Sequence, residues 1–227
     1  MSNSLALPGT GEGSVTESPI KVVLVDDHAI VRTGFRLLLE NDSDIRVIAE
    51  LDSGEAINQK AVELNPDVIV MDLSMPGMGG LEAIRRIKAK NSAIRILVFT
   101  MHDSTAFVEQ ALEAGASGYV TKNNAPKLLL DAIRKIASGA TYIDEKLADK
   151  LSMKDIGSGT PLGNLSRREF QIFCKFAEGK NASDIAEDLS LSVKTVANYQ
   201  TQIKEKLGIT STAELVKLAL AHGVIQM

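Results

Sequence analysis

Val22-Val23-Leu24-Val25-Asp26-Asp27-His28 decides the fold. Four branched apolar residues in succession leave no polar face. Residues 20–25 therefore read as a strand covered on both sides, as in a parallel sheet. Two carboxylates stand just beyond its carboxyl end. Working outward, the same strand pattern recurs at residues 45–51, 67–71, 94–99 and 117–120. Between and after these strands, residues 33–40, 56–64, 80–90, 105–114 and 128–137 carry apolar residues at helical spacing. The second helix must stop before Asn65-Pro66, because the residue preceding proline avoids the α region. Gly115 ends the fourth helix and Ser138-Gly139 the fifth. Alternating strands and helices predict an α/β domain: a doubly wound, five-stranded parallel sheet with helices on both faces.

Ligand sites in such sheets lie at the carboxyl ends of the strands. Asp26 and Asp27 follow the first strand, Asp72 the third, Thr100 the fourth and Lys122 the fifth. Aspartate is common in loops after strands, so each alone has a plain structural reading. Five polar residues in phase with strand ends are harder to dismiss. Three neighbouring carboxylates repel one another and invite a divalent cation. Mg²⁺ accepts oxygen ligands while keeping several waters, so it can bridge protein and phosphate. A carboxylate beside it can act as nucleophile toward a phosphoryl group, giving an aspartyl-phosphate. A lysine would then neutralise the equatorial oxygens, and a threonine hydroxyl could hydrogen-bond them.

After Tyr142 the character changes. Residues 144–153 read as a short amphipathic helix, and Ile156-Gly157-Ser158-Gly159-Thr160-Pro161-Leu162-Gly163 as a flexible linker. Four helical segments follow with no strand. Ser166 and Glu169 have capping-box spacing at the start of the first. Residues 181–189, a turn at Ser190-Leu191-Ser192, and a longer helix over 193–207 ended by Gly208 form a helix-turn-helix layout. Ile185, Ala186, Leu189, Val196 and Ile203 would face the core. Ala197, Asn198, Thr201 and Gln202 would face outward, where small and polar side chains can approach base edges. Lys194, Lys204 and Lys206 would reach phosphates. Periodicity alone would equally allow a plain helical bundle. The expected organisation is a disordered tail over 1–19, an α/β domain over 20–141, a linker over 142–163 and a four-helix, all-α domain over 164–227.

Composition narrows the class further. Aromatics are 4% of the residues and Trp is absent, so the cores must be aliphatic. The single cysteine, Cys174, excludes an intramolecular disulfide and fits a reducing, cytoplasmic setting. Its neighbours Ile172, Phe173 and Phe176 make it read as a small buried hydrophobe. No run approaches the ~20 apolar residues that span a bilayer, so no membrane role is expected. Residues 1–19 lack the basic start and apolar run of a signal peptide. The net charge is −4. From Thr160 onward, eight lysines and arginines face seven aspartates and glutamates, a balance of +1 that leaves −5 for the rest. Such a back half is weakly charged for holding DNA as a monomer.

The front half resembles response-regulator receivers. The resemblance rests on Val22 to His28, Met71-Asp72-Leu73-Ser74-Met75-Pro76-Gly77, Phe99-Thr100 and Gly118-Tyr119-Val120-Thr121-Lys122. It implies a flavodoxin-like fold, Asp72 as phosphoacceptor, and Mg²⁺ held by Asp26, Asp27, Asp72 and the backbone carbonyl of Ser74. It implies Thr100 as switch hydroxyl, Tyr119 as switch aromatic that turns inward on phosphorylation, and Lys122 as phosphate-pairing cation. Asn123 departs from the pattern, since many receivers carry proline there. His102 lies at a position that flanks the phosphate, and His28 reads as structural. Leu165-Ser166-Arg167-Arg168-Glu169, Ile185-Ala186, Ser192-Val193-Lys194-Thr195-Val196 and Lys206-Leu207-Gly208 are similar to the LuxR-type domain.

Together the halves resemble the NarL/FixJ layout. Tyr199, where histidine is common, is similar to the GacA/UvrY/SirA branch. The resemblance implies a transcription regulator phosphorylated by a sensor histidine kinase. It would bind promoter DNA, dimerise on activation and meet RNA polymerase. DNA contacts would come from Lys194, Thr195, Ala197, Asn198, Thr201, Gln202, Lys204 and Lys206. Leu215, Leu218 and Ala219 would form a dimer surface, with core packing the alternative. In the resembling family, docking on the receiver masks the recognition helix, and here only the segment from about 144 to 163 would join the two domains. Two other classes compete: a Mg²⁺-dependent phosphohydrolase using Asp72, for which the loops are short, and an adaptor whose helical domain binds protein or RNA.

Overall fold

The structure is a computed structural model that describes residues 18–123, 126–152 and 161–225. The expected tail, apart from residues 18 and 19, and linker residues 153–160 lie outside the described residues. The chain begins with β1 (Ile20–Val25), α1 (Ala29–Glu40), β2 (Ile45–Leu51), α2 (Gly54–Leu64) and β3 (Val68–Met71). It continues with α3 (Gly80–Lys90), β4 (Arg95–Thr100), α4 (Thr105–Ala114), β5 (Gly118–Thr121) and α5 (Pro126–Ala137). All strand pairs are parallel, in the order β2-β1-β3-β4-β5-β6.

The sixth strand corrects the five-stranded expectation. β6 (Tyr142–Ile143) adds to the β5 edge, with Gly118 opposite Tyr142. Two residues are too few to carry a readable alternation. α6 (Glu145–Ser152) follows, with Leu147 buried. Residues 142–152, expected as linker, thus pack on the sheet domain.

The sheet has two unlike faces. Toward one side, Val22, Leu24, Val70, Leu97 and Phe99 pack with Leu39 of α1 and with Leu129, Ile133 and Ile136 of α5. Toward the other, Val23, Ile69, Met71, Ile96 and Val98 pack with Ile57, Ile84, Ile87 and Phe107 of α2, α3 and α4.

The C-terminal domain begins at a 3₁₀ turn (Pro161–Asn164), then α7 (Arg167–Ala177), α8 (Ala182–Asp188), α9 (Val193–Leu207) and α10 (Thr212–Ala221). Its starts are chemically marked. Ser166 and Glu169 close a capping box on α7, and Ser211 and Glu214 close another on α10. Asn181 caps α8 and Ser192 caps α9, while Gly208 ends α9 in the left-handed conformation, φ 65°. Phe170, Phe173, Ile185, Val196, Ile203, Leu215 and Ala219 fill its core. Leu215 and Ala219 are fully buried within the chain, so of the three residues expected at a dimer surface only Leu218 is half-exposed.

Candidate functional site

The carboxyl edge of the sheet gathers the expected residues. Asp26 and Asp27 leave β1, Asp72 leaves β3, Thr100 ends β4, and Lys122 follows β5. Lys122 Nζ donates to Asp26 Oδ2 at 2.5 Å and to Asp72 Oδ2 at 2.6 Å, so it bridges two loops far apart in sequence. Burial alone would lower the Lys122 pKa. The charges and hydrogen bonds of Asp72 and Asp26 outweigh burial and raise it, so the ammonium stays charged. The Asp26 backbone carbonyl accepts a short hydrogen bond from Arg32 of α1.

Oxygens converge in this pocket. Ligand atoms of Asp26, Asp27, His28 and Asp72 lie within 4.8 Å of one another. Asp27 Oδ1 is 3.0 Å from His28 Nδ1, yet out of line for a hydrogen bond, and that oxygen is buried with no donor. Thr100 is fully buried and its hydroxyl lacks a partner. A buried orphan acceptor and a buried orphan hydroxyl beside the same lysine are costly unless something completes them.

The Asp72 rim shows more than the residue pattern disclosed. Asp72 Oδ1 accepts the Ser74 backbone N–H at 3.2 Å. Ser74 Oγ lies 2.9 Å from His102 Nε2. The His102 ring stacks on Phe107, with centroids 3.8 Å apart and planes at 14°. Burial lowers the His102 pKa, against the opposing charges of Asp72 and Asp103. Tyr119 is fully buried, and its hydroxyl donates to the His102 carbonyl at 2.9 Å. The ring is therefore inward in this structure.

On α9, Val193, Lys194, Ala197, Asn198, Thr201 and Gln202 are exposed together along one face. Val193, 49% exposed, is an apolar side chain on that face that the residue reading passed over as a helix start. Thr195 is turned to its own helix: its N–H donates to Ser192 Oγ at 3.0 Å, and its hydroxyl lies 2.8 Å from the same oxygen. Lys204 is half-buried. Lys206 Nζ donates to Glu169 Oε2 at 2.7 Å and pins α9 to the start of α7, so it does not extend free toward a phosphate.

The two domains touch well beyond the linker. The Gly77 N–H donates to the Asp188 carbonyl at 3.0 Å. Gln110 Nε2 donates to the Leu165 carbonyl at 3.2 Å, and Arg167 to the Glu113 carbonyl at 2.7 Å. Phe107 meets Phe170 edge-on, 5.0 Å between centroids. Gly77 holds φ 73°, the left-handed region that favours glycine. Contact is thus made by Leu165, α7, the end of α8 and the turn past α10, while the face of α9 that carries Lys194, Ala197, Asn198, Thr201 and Gln202 is exposed. This corrects the expectation that docking covers that face of the helix.

Residues 22–134 match the response regulator receiver domain, and residues 163–219 match the bacterial regulatory proteins of the luxR family. The response regulator GacA of Pseudomonas aeruginosa is 39% identical over 209 residues, covering 91% of this chain and 98% of that one. The response regulator UvrY of Escherichia coli K12 is 38% identical, covering 90% and 95%. Salmonella enterica serovar Typhimurium RcsB, solved bound to promoter P1flhDC in the presence of phosphomimetic BeF3⁻, superposes with TM-score 0.67. It is 30% identical and covers 90% of this chain and 100% of that one. The sheet-edge carboxylates, the bridging lysine and the helix-turn-helix thus sit in a two-component response regulator, a DNA-binding transcription regulator with a receiver and a LuxR-type domain.

Proposed function

We propose that Asp72 accepts a phosphoryl group from a sensor histidine kinase and that its charge controls promoter binding by α9. The observation that carries this reading is Lys122 bridging Asp26 and Asp72 beside two unpaired buried oxygens, Asp27 Oδ1 and the Thr100 hydroxyl. The donor set is all hard oxygen, which suits Mg²⁺; Asp26, Asp27, Asp72 and the Ser74 carbonyl would hold it. When bound, the cation offsets negative charge on the transferring group. The protein supplies the rest. Asp72 is held by the Ser74 N–H with one oxygen and by Lys122 with the other. Once the phosphoryl is on Asp72, Lys122 can pair with an equatorial oxygen and Thr100 can donate its hydroxyl.

The chain catalyses only this Mg²⁺-dependent transfer onto itself and its own dephosphorylation, in which water takes the phosphoryl group. Residues 20–152 act as the receiver unit, 153–160 as the link and 161–227 as the DNA-binding unit. The family and the lone buried cysteine support a cytoplasmic setting. On DNA, Ala197, Asn198, Thr201 and Gln202 read bases while Lys194 and Lys204 meet phosphates, with a second copy completing the site.

The test is labelling by a small phosphodonor with Mg²⁺. One phosphoryl per chain is expected on Asp72, and none on Asp72→Asn. Asp27→Ala should weaken Mg²⁺ binding by about tenfold or more, since it removes a hard ligand. Sustained turnover of the donor, or full labelling of Asp72→Asn, would overturn the reading.

A further inference from the structure

The phosphoacceptor pocket and the docked DNA-binding domain are joined by an unbroken chain of side-chain contacts. It starts at Ser74, two residues beyond Asp72. Ser74 Oγ holds His102 Nε2 at 2.9 Å. His102 stacks on Phe107 at 3.8 Å, and Phe107 meets Phe170 of α7 edge-on at 5.0 Å. Phe170 is fully buried and packs against Phe173, 6.3 Å away, in the core of the DNA-binding domain. His102 therefore belongs to both the rim of the pocket and the footing of the other domain. Tyr119 is buried inward here, and its hydroxyl anchors the His102 backbone from below.

The surroundings leave the rings room to move. A cavity of about 300 Å³ opens between the domains, lined by Ser74, Met78, His102, Phe107, Phe170 and Cys174 among others. The interface is also imperfectly satisfied. Gln110 Oε1 and Arg167 Nε are buried there without a protein partner. Both would regain water if the domains parted, which offsets part of what the interface contributes.

We propose that His102 is the coupling residue of this protein, and that the column His102–Phe107–Phe170 transmits the state of Asp72 to the seating of α7. The inference rests on Asp72 being the phosphoacceptor. With His102 in the Nδ1–H tautomer, the Ser74 hydroxyl donates to Nε2, and phosphoryl oxygens on Asp72, being strong acceptors, compete for that proton. His102 then loses its side-chain tether and leaves the stack. Phe107 loses one face, and its hold on Phe170 loosens. The DNA-binding domain is released by its first helix, while the reading face of α9 is open throughout.

The Gly77 amide reports this directly, because its hydrogen bond crosses to Asp188. Hydrogen exchange of full-length protein would be followed at that amide with and without BeF3⁻ and Mg²⁺, alongside phosphodonor labelling of Asp72. In the wild type, exchange should rise on BeF3⁻ addition. His102→Ala is read at the same amide, and Phe107→Leu, which lies behind His102 and away from the pocket, is the variant in which labelling should persist. In His102→Ala, exchange should already be raised about two- to tenfold without BeF3⁻, the size expected for losing one aromatic pair, with little further change on addition. Phe107→Leu, which keeps apolar bulk, should behave the same and guards against a local defect in His102→Ala. If the wild type labels but exchange at Gly77 does not respond, the relay is overturned. A wild-type response in both variants overturns it equally. Absence of labelling in the wild type would instead sink the assignment of Asp72.

Discussion

Lys206 shows what a residue does that its position in a helix does not announce. Helical phase puts it at the end of α9, where a lysine is expected to reach for DNA. It is bonded instead to Glu169, whose side chain is only 4% exposed. Burial would raise the Glu169 pKa, but the hydrogen bonds from Lys206 and Ser166 outweigh it and hold it below its ordinary value. A depressed carboxylate contributes stability that is present above the unfolded-state pKa and lost as pH falls through the folded value. Lys206→Ala should therefore destabilise the protein by about 1–3 kcal/mol near neutrality, the range for a lost hydrogen bond to a charged group. Urea unfolding at pH 7 and again below about pH 4 should show that penalty shrinking. A penalty equal at both pH values would mean that the ion pair is not its source. The acidic pocket was legible from the sequence because Asp26, Asp27, Asp72, Thr100 and Lys122 share one rule, the strand end. The Lys206–Glu169 and His102–Ser74 pairs span 37 and 28 residues, and no periodicity connects them.

At the scale of elements, α9 separates reading from holding. Asn198 and Thr201 lie on the exposed face, while Thr201 also donates to the Ala197 carbonyl at 3.2 Å. Replacing Asn198 by Ala should alter which base is preferred at one position by about 1–3 kcal/mol. Replacing Lys194 by Ala should weaken binding to every sequence and reduce the salt slope by about one unit. Binding measured at several salt concentrations on two operators distinguishes them; a Lys194 variant with altered preference and unchanged slope would put the helix in the wrong phase. The bounds of α9 were legible in full, since Ser192, Gly208 and the apolar positions Val196 and Ile203 mark them. β6 was not legible. It is two residues long and exists because the β5 edge offers unpaired groups to Tyr142 and Ile143, a tertiary fact.

For the whole molecule, two modules were legible, and the contacts by which they dock were not. Docking depends on Gly77, Gln110, Arg167 and Phe170 meeting across the chain, and none of these carries a local signature. The α7 side of the receiver and the core of the DNA-binding domain form one continuous apolar cluster. Docking also sets Gly223, just past α10, against Ser104 at the start of α4. It holds a near-neutral DNA-binding unit beside a front half that carries −5, whose field repels phosphates. This field opposes DNA binding while the exposed face of α9 stays open. The central claim is that the state of Asp72 sets this balance. Its most direct test is a titration of one operator at matched salt with the 160–227 fragment, unmodified full-length protein and phosphorylated full-length protein. The unmodified protein should bind more weakly than the other two by about 1–3 kcal/mol, the usual size of a coupling free energy; equal affinities for all three would contradict the account.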